Sequence, residues 1–184
     1  MSTNTTPEVM DESLGPITDS LQAIDPADAS QRLDELAASG EVDPLAGIYI
    51  VPLVEVKPVD HDGQTFRFYI ARVMPGKHVN PHLHKVGAEP YHFLSGDGGQ
   101  LNLGGVSDGA VDWEEPKTVV PGETSVVAES QVHSFVNLGK EPFDFAFACP
   151  DSHLTDKSVE NPRGDRYFTA DLENGLPPSL TSET

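Results

Sequence analysis

Hydrophobic and polar residues alternate over short segments through most of the chain after Pro44. Runs such as GIYIVPLVEV, TFRFYIARVM, VHSFVNL and FDFAFAC are rich in Ile, Val, Phe and Tyr, and turn-forming or acidic residues bound them. Alternation with a period of two is typical of strands that bury one face. Many short strands of this kind indicate a closed or sandwiched antiparallel architecture. The sequence therefore predicts an all-β barrel over residues 45–150.

One stretch before these strands has a helical pattern. In DPADASQRLDELAASG, Asp25 is a typical N-cap and Pro26 occupies the first helical position. Leu33 and Leu36 lie on one helical face. We therefore expect residues 19–44 to contain one short helix that packs on the outside of the strands.

The two ends of the chain differ in composition from this core. Residues 1–18 are rich in Ser, Thr, Asp, Glu and Pro, and such a segment buries too little apolar surface to offset its ordering entropy, so we expect a disordered acidic tail. Residues 151–184 are polar, with one possible strand at RYFTADL, and we expect them to wrap the barrel. His153 in this extension is expected to face solvent. A chain of 184 residues has room for one domain with such tails.

The charge balance excludes several classes of partner. The chain has 11 basic and 30 acidic residues and a net charge of −19, and such a surface repels nucleic acid and anionic lipid. No apolar run is long enough to span a bilayer. The single cysteine, Cys149, excludes an internal disulfide, and the N-terminus lacks a signal-peptide pattern, so we expect a cytoplasmic protein.

The segment GKHVNPHLHKVGAEPYHFLSG carries the clearest candidate chemistry. His82 and His84 are two residues apart, so on an extended strand both imidazoles point the same way, and Glu89 follows. Two imidazoles and a carboxylate suit a divalent transition ion such as Fe, Mn, Ni, Co, Cu or Zn. A histidine pair alone on a strand is a weak signal, because two surface histidines also satisfy it.

The wider spacing around these histidines is more specific. Written G-x5-H-x-H-x4-E-x6-G, it runs from Gly76 through His82, His84 and Glu89 to Gly96. This pattern resembles the first motif of the cupin superfamily at every defined position. The resemblance implies a cupin double-stranded β-helix, a jelly-roll barrel, with one short N-terminal helix.

A second cupin motif, G-x5-P-x-G-x2-H-x3-N, is matched with two departures. It falls on PGETSVVAESQVHSFVN, where Ala128 replaces the proline and Ser130 replaces the second glycine. Both replaced residues shape a turn, so the departures concern the turn type rather than the ligand. The resemblance makes His133 the fourth metal ligand, beside His82, His84 and Glu89.

A narrower resemblance concerns the archaeal-type cupin phosphoglucose isomerases. It is carried by EPYHFLSGDGG, Trp113, PGE and GKEPFDFAF. That family has Thr and Gly before its first histidine and a longer gap before its glutamate, whereas here Asn80 and Pro81 precede His82. The resemblance implies isomerase chemistry at the metal and gives no support for a phosphate site.

Strand alternation selects further candidate residues. Tyr91 shares the parity of Glu89, and a phenol beside a metal can donate a proton or orient a substrate oxygen, so Tyr91 and Glu89 are the catalytic candidates. Packing at the barrel mouth would explain Tyr91 equally well. On QLNL either Gln100 and Asn102 or Leu101 and Leu103 face inward, and His92 should point away. The candidate substrate-binding residues are His78, Asn80, Arg72, Gln100, Phe93 and Phe135.

Three functions remain open. The first is a metal-dependent isomerase or lyase that acts on a small oxygenated molecule by Lewis-acid chemistry. The second is an Fe(II)-dependent dioxygenase with the same ligands. The third is a non-catalytic metal or small-molecule binding module, which a tight barrel without a cavity would favour. In each case we expect a small-molecule partner and, by analogy with cupins, a homodimer.

Overall fold

The computed structural model describes residues 14–43, 46–53, 58–61, 63–108, 110–151, 153 and 166–168. Two helices and twelve strands lie within these residues. The helices are α1 (Gly15–Gln22) and α2 (Pro26–Ser39). The strands are β1 (Tyr49–Pro52), β2 (Val59–His61), β3 (Gln64–Val73), β4 (His82–Leu83), β5 (Glu89–Ser95), β6 (Gly99–Ser107), β7 (Ala110–Trp113), β8 (Lys117–Val119), β9 (Thr124–Val127), β10 (Val132–Asn137), β11 (Phe143–Pro150) and β12 (Arg166–Tyr167).

The strands form two antiparallel sheets whose inner faces share one hydrophobic core. The first sheet has the order β1-β3-β11-β5-β9, with β2 paired to β3, and the second has the order β12-β4-β10-β6-β7, with β8 paired to β6. From β3 to β6 the chain passes from one sheet to the other at each strand, and it does so again from β9 to β11. The predicted all-β, two-sheet barrel is confirmed.

Aromatic side chains fill much of the space between the sheets. Phe143, Phe145 and Phe147 recur on the inner face of β11, because alternate residues of a strand share a face. Phe93 and Phe135 meet them from the two sheets, with ring centroids 4.9 Å apart for Phe135 and Phe143 and 5.9 Å for Phe93 and Phe135. These contacts close the barrel on one side of the histidine-bearing region.

Both helices pack on the outer face of the first sheet. α1 contacts β5 and β11, and α2 contacts β1 and β3. Asp25 caps α2, since its Oδ1 accepts a hydrogen bond from the Ala27 amide at 2.8 Å, and Gly40 ends the helix with φ +75°. The boundary at Asp25 and the outside location agree with the sequence prediction. No helix in the described part of the chain is long and apolar enough to cross a membrane.

Two predictions for the N-terminal region are wrong. The expected disordered tail included residues 14–18, but Leu14 and Ile17 are buried and α1 begins at Gly15. A single helix was expected, whereas α1 adds a second because Ile17 and Leu21, four residues apart, bury one helical face against the sheet. Residues 1–13 lie outside the described residues.

The described part of the C-terminal extension adds an edge strand to the second sheet. β12 pairs with β4, with Tyr167 opposite His82. Phe168 is buried against Leu83 and Val132 on the outer face of that sheet. The strand predicted within RYFTADL is therefore present. Residues 154–165 and 169–184 lie outside the described residues, so the wrapping role of the extension stays a prediction.

Candidate metal centre

Four side chains from the two motifs converge between the sheets. His82 belongs to β4, His84 follows that strand directly, Glu89 begins β5 and His133 lies on β10. β4 and β10 pair His82 opposite His133, and β5 brings Glu89 from the other sheet. One potential ligand atom from each residue lies within 4.8 Å of all the others, and all four residues are buried. We call these four residues the His/Glu cluster.

The Glu89 carboxylate is the contact point of the cluster. Its Oε2 lies 2.6 Å from Nε2 of His84 and 3.1 Å from Nε2 of His133. The Tyr91 hydroxyl donates a hydrogen bond to the same oxygen at 2.7 Å. The imidazole centroid of His82 lies 4.1 Å from that of His133. One carboxylate oxygen thus faces two imidazole nitrogens and a phenol in a space without solvent.

Backbone carbonyls orient two of the imidazoles. Nδ1 of His82 lies 2.8 Å from the Asn80 carbonyl oxygen, to which it can donate, and Nδ1 of His133 lies 3.4 Å from that of Gln131. This arrangement leaves Nε2 of both rings for the cluster. Nε2 of His133 is buried and makes no hydrogen bond of acceptable geometry. A buried nitrogen lone pair without a donor is costly, so the donor set fits a bound cation.

Burial and mutual repulsion keep His82 neutral. Burial lowers the pKa of His82 well below its usual value, and the neighbouring His133 and His84 lower it further. Burial alone would raise the pKa of Glu89, but interactions with His84 and His133 outweigh it and hold that pKa well below the usual range. Neutral imidazole and ionised carboxylate are the protonation states that bind a divalent metal.

The altered turn of the second motif keeps its shape. Ser130, which replaces a glycine of the cupin pattern, has φ +63°, in the left-handed region that glycine favours. Its amide donates to the His84 carbonyl oxygen at 2.8 Å. The turn therefore still connects the second motif to the first, and the serine adopts the strained backbone conformation in place of glycine.

This geometry predicts that Ser130→Gly stabilises the protein. A non-glycine residue in the left-handed region is strained by about 1–2 kcal/mol, and the greater chain entropy of unfolded glycine offsets part of the gain. We expect the free energy of unfolding to rise by up to about 1 kcal/mol, measured by urea denaturation. Ser130→Ala is the control, because it keeps the β-carbon and should give no gain. Equal stabilities of the two variants would contradict the proposed strain.

The structure brings both catalytic candidates into the cluster. Tyr91 is 4% exposed and contacts Glu89 through its hydroxyl, as the shared parity on β5 predicted. Its ring also packs against Phe145, with centroids 5.3 Å apart. Tyr91 thus packs the barrel and places a proton donor at the cluster. Its catalytic role stays a prediction.

Two residues predicted to bind substrate face away from the cluster. Arg72 lies on the outer face of β3, where it binds Asp144 at 2.7 Å and reaches Asp34 on α2. Gln100 lies on the outer face of β6, since Leu101 and Leu103 take the inward positions that the sequence left open. Both assignments are wrong, because alternation shows which residues share a face and not which face is inside.

The other four predicted substrate-binding residues also lie outside the cavity beside the cluster. Phe93 and Phe135 face inward but are buried in the aromatic core, one layer deeper. His78 is paired with Val136 on the outer face of β10. Asn80 orients His82 through its backbone carbonyl. None of the four lines the cavity described below, so their substrate-binding role stays a prediction that this cavity does not support.

A narrow cavity opens beside the His/Glu cluster. Its enclosed volume is about 30 Å³, and the space extends to about 440 Å³ when its open mouth is included. The lining residues beyond the cluster are Asp43, Ala46, Ile48, Ile50, Val79, Tyr91, Phe145, Phe147, Cys149 and His153. Strand alternation could have found Phe145, Phe147 and Cys149, which share one face of FDFAFAC. Cys149 is 1% exposed, so its expected burial is confirmed.

His153 is the least predictable member of this lining. It was expected to face solvent, but it is 2% exposed and its ring stacks on that of His84, with centroids 4.0 Å apart and planes within 3°. Its Nε2 lies 2.6 Å from the Val86 carbonyl oxygen. The expectation was wrong, because a polar segment that follows β11 directly returns to the loop between β4 and β5. No periodic pattern in the sequence signals this contact.

His92 provides a test of the strand assignment. It lies on the outer face of β5, with Nδ1 3.1 Å from Oγ1 of Thr124, and burial lowers its pKa. We expect His92→Ala to keep the full metal content, measured by elemental analysis after loading with Zn²⁺, because no atom of this side chain faces the cluster. Loss of metal in this variant would mean that the inner and outer faces of β5 are reversed.

Comparisons with known proteins identify similar structures but no sequence family. No family model matches the chain, and no curated protein matches its sequence. An uncharacterized conserved protein with a double-stranded beta-helix domain from Klebsiella pneumoniae is 22% identical over 63% of this chain and 84% of its own, with a TM-score of 0.40.

Two further structures have comparable scores. A Cupin 2 conserved barrel domain protein from Salinispora arenicola is 20% identical over 60% of this chain and 81% of its own, with a TM-score of 0.39. An oxalate oxidase in complex with the substrate analogue glycolate is 18% identical over 77% of this chain and 69% of its own, with a TM-score of 0.48. At such identities, similarity concerns the fold and not the reaction.

The fold assignment rests on the chain's own topology and motifs. Two facing antiparallel sheets are built by strands that pass from one sheet to the other. The motif residues His82, His84, Glu89 and His133 meet between them. The chain therefore has the double-stranded β-helix fold of the cupins.

Proposed function

We propose that this protein is a metal-dependent enzyme that acts on a small oxygenated molecule by isomerase- or lyase-type chemistry. The observation that carries the proposal is the buried His/Glu cluster beside an open cavity. Three imidazoles and one carboxylate are the ligands of a divalent transition ion, whereas a calcium or magnesium site would be built from oxygens. A divalent ion held there would act as a Lewis acid on a carbonyl or hydroxyl group.

The chain's own residues supply a proton relay. The Tyr91 hydroxyl donates a hydrogen bond to Oε2 of Glu89 at 2.7 Å, and that oxygen also faces Nε2 of His84. A phenol held in this way can exchange a proton with a substrate oxygen that enters from the cavity. The walls formed by Ile48, Phe145 and Phe147 keep bulk water away from this exchange.

The test begins with metal content and continues with proton exchange. The untagged protein, purified without added metal, is analysed for bound elements and then loaded with Mn²⁺ or Zn²⁺. The loaded protein is incubated in D₂O with a panel of α-hydroxyketones, and NMR follows deuterium entering the carbon next to the carbonyl. We expect exchange with the loaded protein, and only background exchange with the metal-free protein or with Glu89→Gln. Failure to bind any divalent ion would overturn the proposal.

The apolar lining favours a second candidate, an Fe(II)-dependent dioxygenase. Dioxygen is apolar, and the cavity walls are mainly aliphatic and aromatic. Stoichiometric iron, with oxygen consumed when a substrate is added, would support this candidate over the isomerase or lyase. Metal binding without turnover in either assay would instead indicate the non-catalytic binding module.

A further inference from the structure

The walls of the cavity beyond the His/Glu cluster are mainly apolar. Ile50 comes from the inner face of β1 and Ile48 directly precedes that strand, and Phe145, Phe147 and Cys149 come from the inner face of β11. The polar side chains that line it are those of three members of the His/Glu cluster, His82, His84 and Glu89, together with Tyr91, His153 and Asp43. A ligand that contacts the cluster must therefore place the rest of its surface against hydrocarbon.

The charged side chains that line the cavity are acidic. Among the described residues that line it, none is lysine or arginine, while Asp43 and Glu89 are acidic. Asp43 is held in place at the wall, because its Oδ1 accepts a hydrogen bond from the Ala46 amide at 2.9 Å and its amide donates to the Ile48 carbonyl at 2.8 Å. The carboxylate at this position disfavours a second anionic group on a ligand.

Two basic side chains of the described residues, Lys117 and Arg72, are not part of the cavity lining. Lys117 donates to Oγ of Ser125 at 3.1 Å and does not line the cavity. Arg72 points to the outer face of the first sheet, where Asp144 binds it. Neither side chain contributes a positive charge to the cavity wall.

These charges limit what the proposed metal centre can accept. A divalent ion and Glu89 together carry one net positive charge. A chelating group with one negative charge neutralises it, and a neutral chelating group leaves the centre with that single positive charge. A dianion would leave a net negative charge in a buried space beside Asp43, and an uncompensated buried charge is strongly unfavourable. The narrow cavity also limits the apolar part of the ligand to a few carbon atoms.

On the basis of the proposed metal centre, we infer that the substrate is a small molecule that binds as a neutral species or monoanion through adjacent oxygens and carries a short apolar group. α-Hydroxyketones and related enols have this chemistry. Two classes of dianion do not have this chemistry: dicarboxylates such as oxalate, and phosphorylated sugars. Ile50 and Phe147 determine this specificity, because they form the apolar walls and no lysine or arginine is among the described residues that line the cavity.

Calorimetric titration of the Zn²⁺-loaded protein tests this inference without any turnover. Acetohydroxamate, a chelating monoanion, is compared with oxalate, and each affinity is divided by that of the same chelator for aqueous Zn²⁺. We expect this ratio to be at least tenfold higher for acetohydroxamate. Lengthening the alkyl group should raise affinity by about fourfold for each methylene, as expected for burial of hydrocarbon, until the chain meets the aromatic wall.

A variant that adds a cation supplies the reciprocal test. Ile50→Lys should raise the oxalate ratio, which is the affinity of oxalate for the loaded protein divided by its affinity for aqueous Zn²⁺, at least tenfold while zinc stoichiometry stays the same. Val106→Lys, on the exposed part of β6, should leave the oxalate ratio unchanged. A wild-type oxalate ratio equal to that of acetohydroxamate would overturn the inference and leave the metal centre intact. Absence of zinc binding would overturn the proposed function itself, and the two failures are therefore distinguishable.

Discussion

Replacement of His84 by alanine should abolish stoichiometric metal binding. His84 is 2% exposed, and its Nε2 lies 2.6 Å from Glu89, so it is a central member of the His/Glu cluster. Removing a residue that only supports a ligand typically weakens metal binding 10- to 100-fold, and we expect the loss of a ligand itself to weaken it at least a hundredfold. Elemental analysis and calorimetric titration with Zn²⁺ measure this loss.

The same substitution should remove the stabilisation that metal gives to the fold. A ligand that binds only the native state raises the free energy of unfolding with its concentration, so added Zn²⁺ should raise the Tm of the wild type and not that of His84→Ala. His92→Ala is the matched control, since it deletes an imidazole from the outer face of β5. Wild-type zinc stoichiometry in His84→Ala would refute the ligand assignment.

The His/Glu cluster was predictable because its members are close in sequence and share strand parity. His82 and His84 are two residues apart, and Glu89 is five residues further, so a short loop and one strand pairing suffice to bring them together. The second motif predicted His133 as the fourth member, and the pairing of β4 with β10 places it opposite His82. Even the departure at Ser130 kept the turn, because serine adopts the left-handed conformation of the missing glycine.

The substrate pocket was not predictable in the same way. Parity assigned Arg72 to a face, but only the packing of α2 against β3 shows that this face is outside. Phe93 and Phe135 have the correct parity and the wrong depth, since they lie one layer below the cavity. The position of His153 depends on where a segment without a periodic pattern returns to the barrel. Depth and loop placement are tertiary properties that short-range patterns do not encode.

The misassigned Arg72 reveals how the helical layer is attached. Its guanidinium binds Asp144 on β11 at 2.7 and 2.9 Å, and it also donates to Oγ of Ser30 on α2 at 3.0 Å. The hydrogen bonds with Asp144 raise the pKa of Arg72, so the group stays charged. Arg72 and Asp144 are both buried at the junction between α2 and the first sheet. This junction lies on the opposite face of the sheet from the His/Glu cluster.

Replacement of Asp144 by alanine should therefore destabilise the protein strongly without changing metal binding. Breaking a buried ion pair by removing one partner typically costs about 3–5 kcal/mol, and we expect the exposed Asp34 carboxylate to compensate only part of the Arg72 charge. Asp34 is the control, because its side chain is 68% exposed and an exposed ion pair contributes at most about 1 kcal/mol. Urea denaturation of the metal-free proteins should give Asp144→Ala a much lower free energy of unfolding than Asp34→Ala, while zinc stoichiometry stays the same in both. Equal stabilities would show that solvent already compensates Arg72, whereas loss of zinc in Asp144→Ala alone would show that the helical layer and the metal centre are coupled through the first sheet.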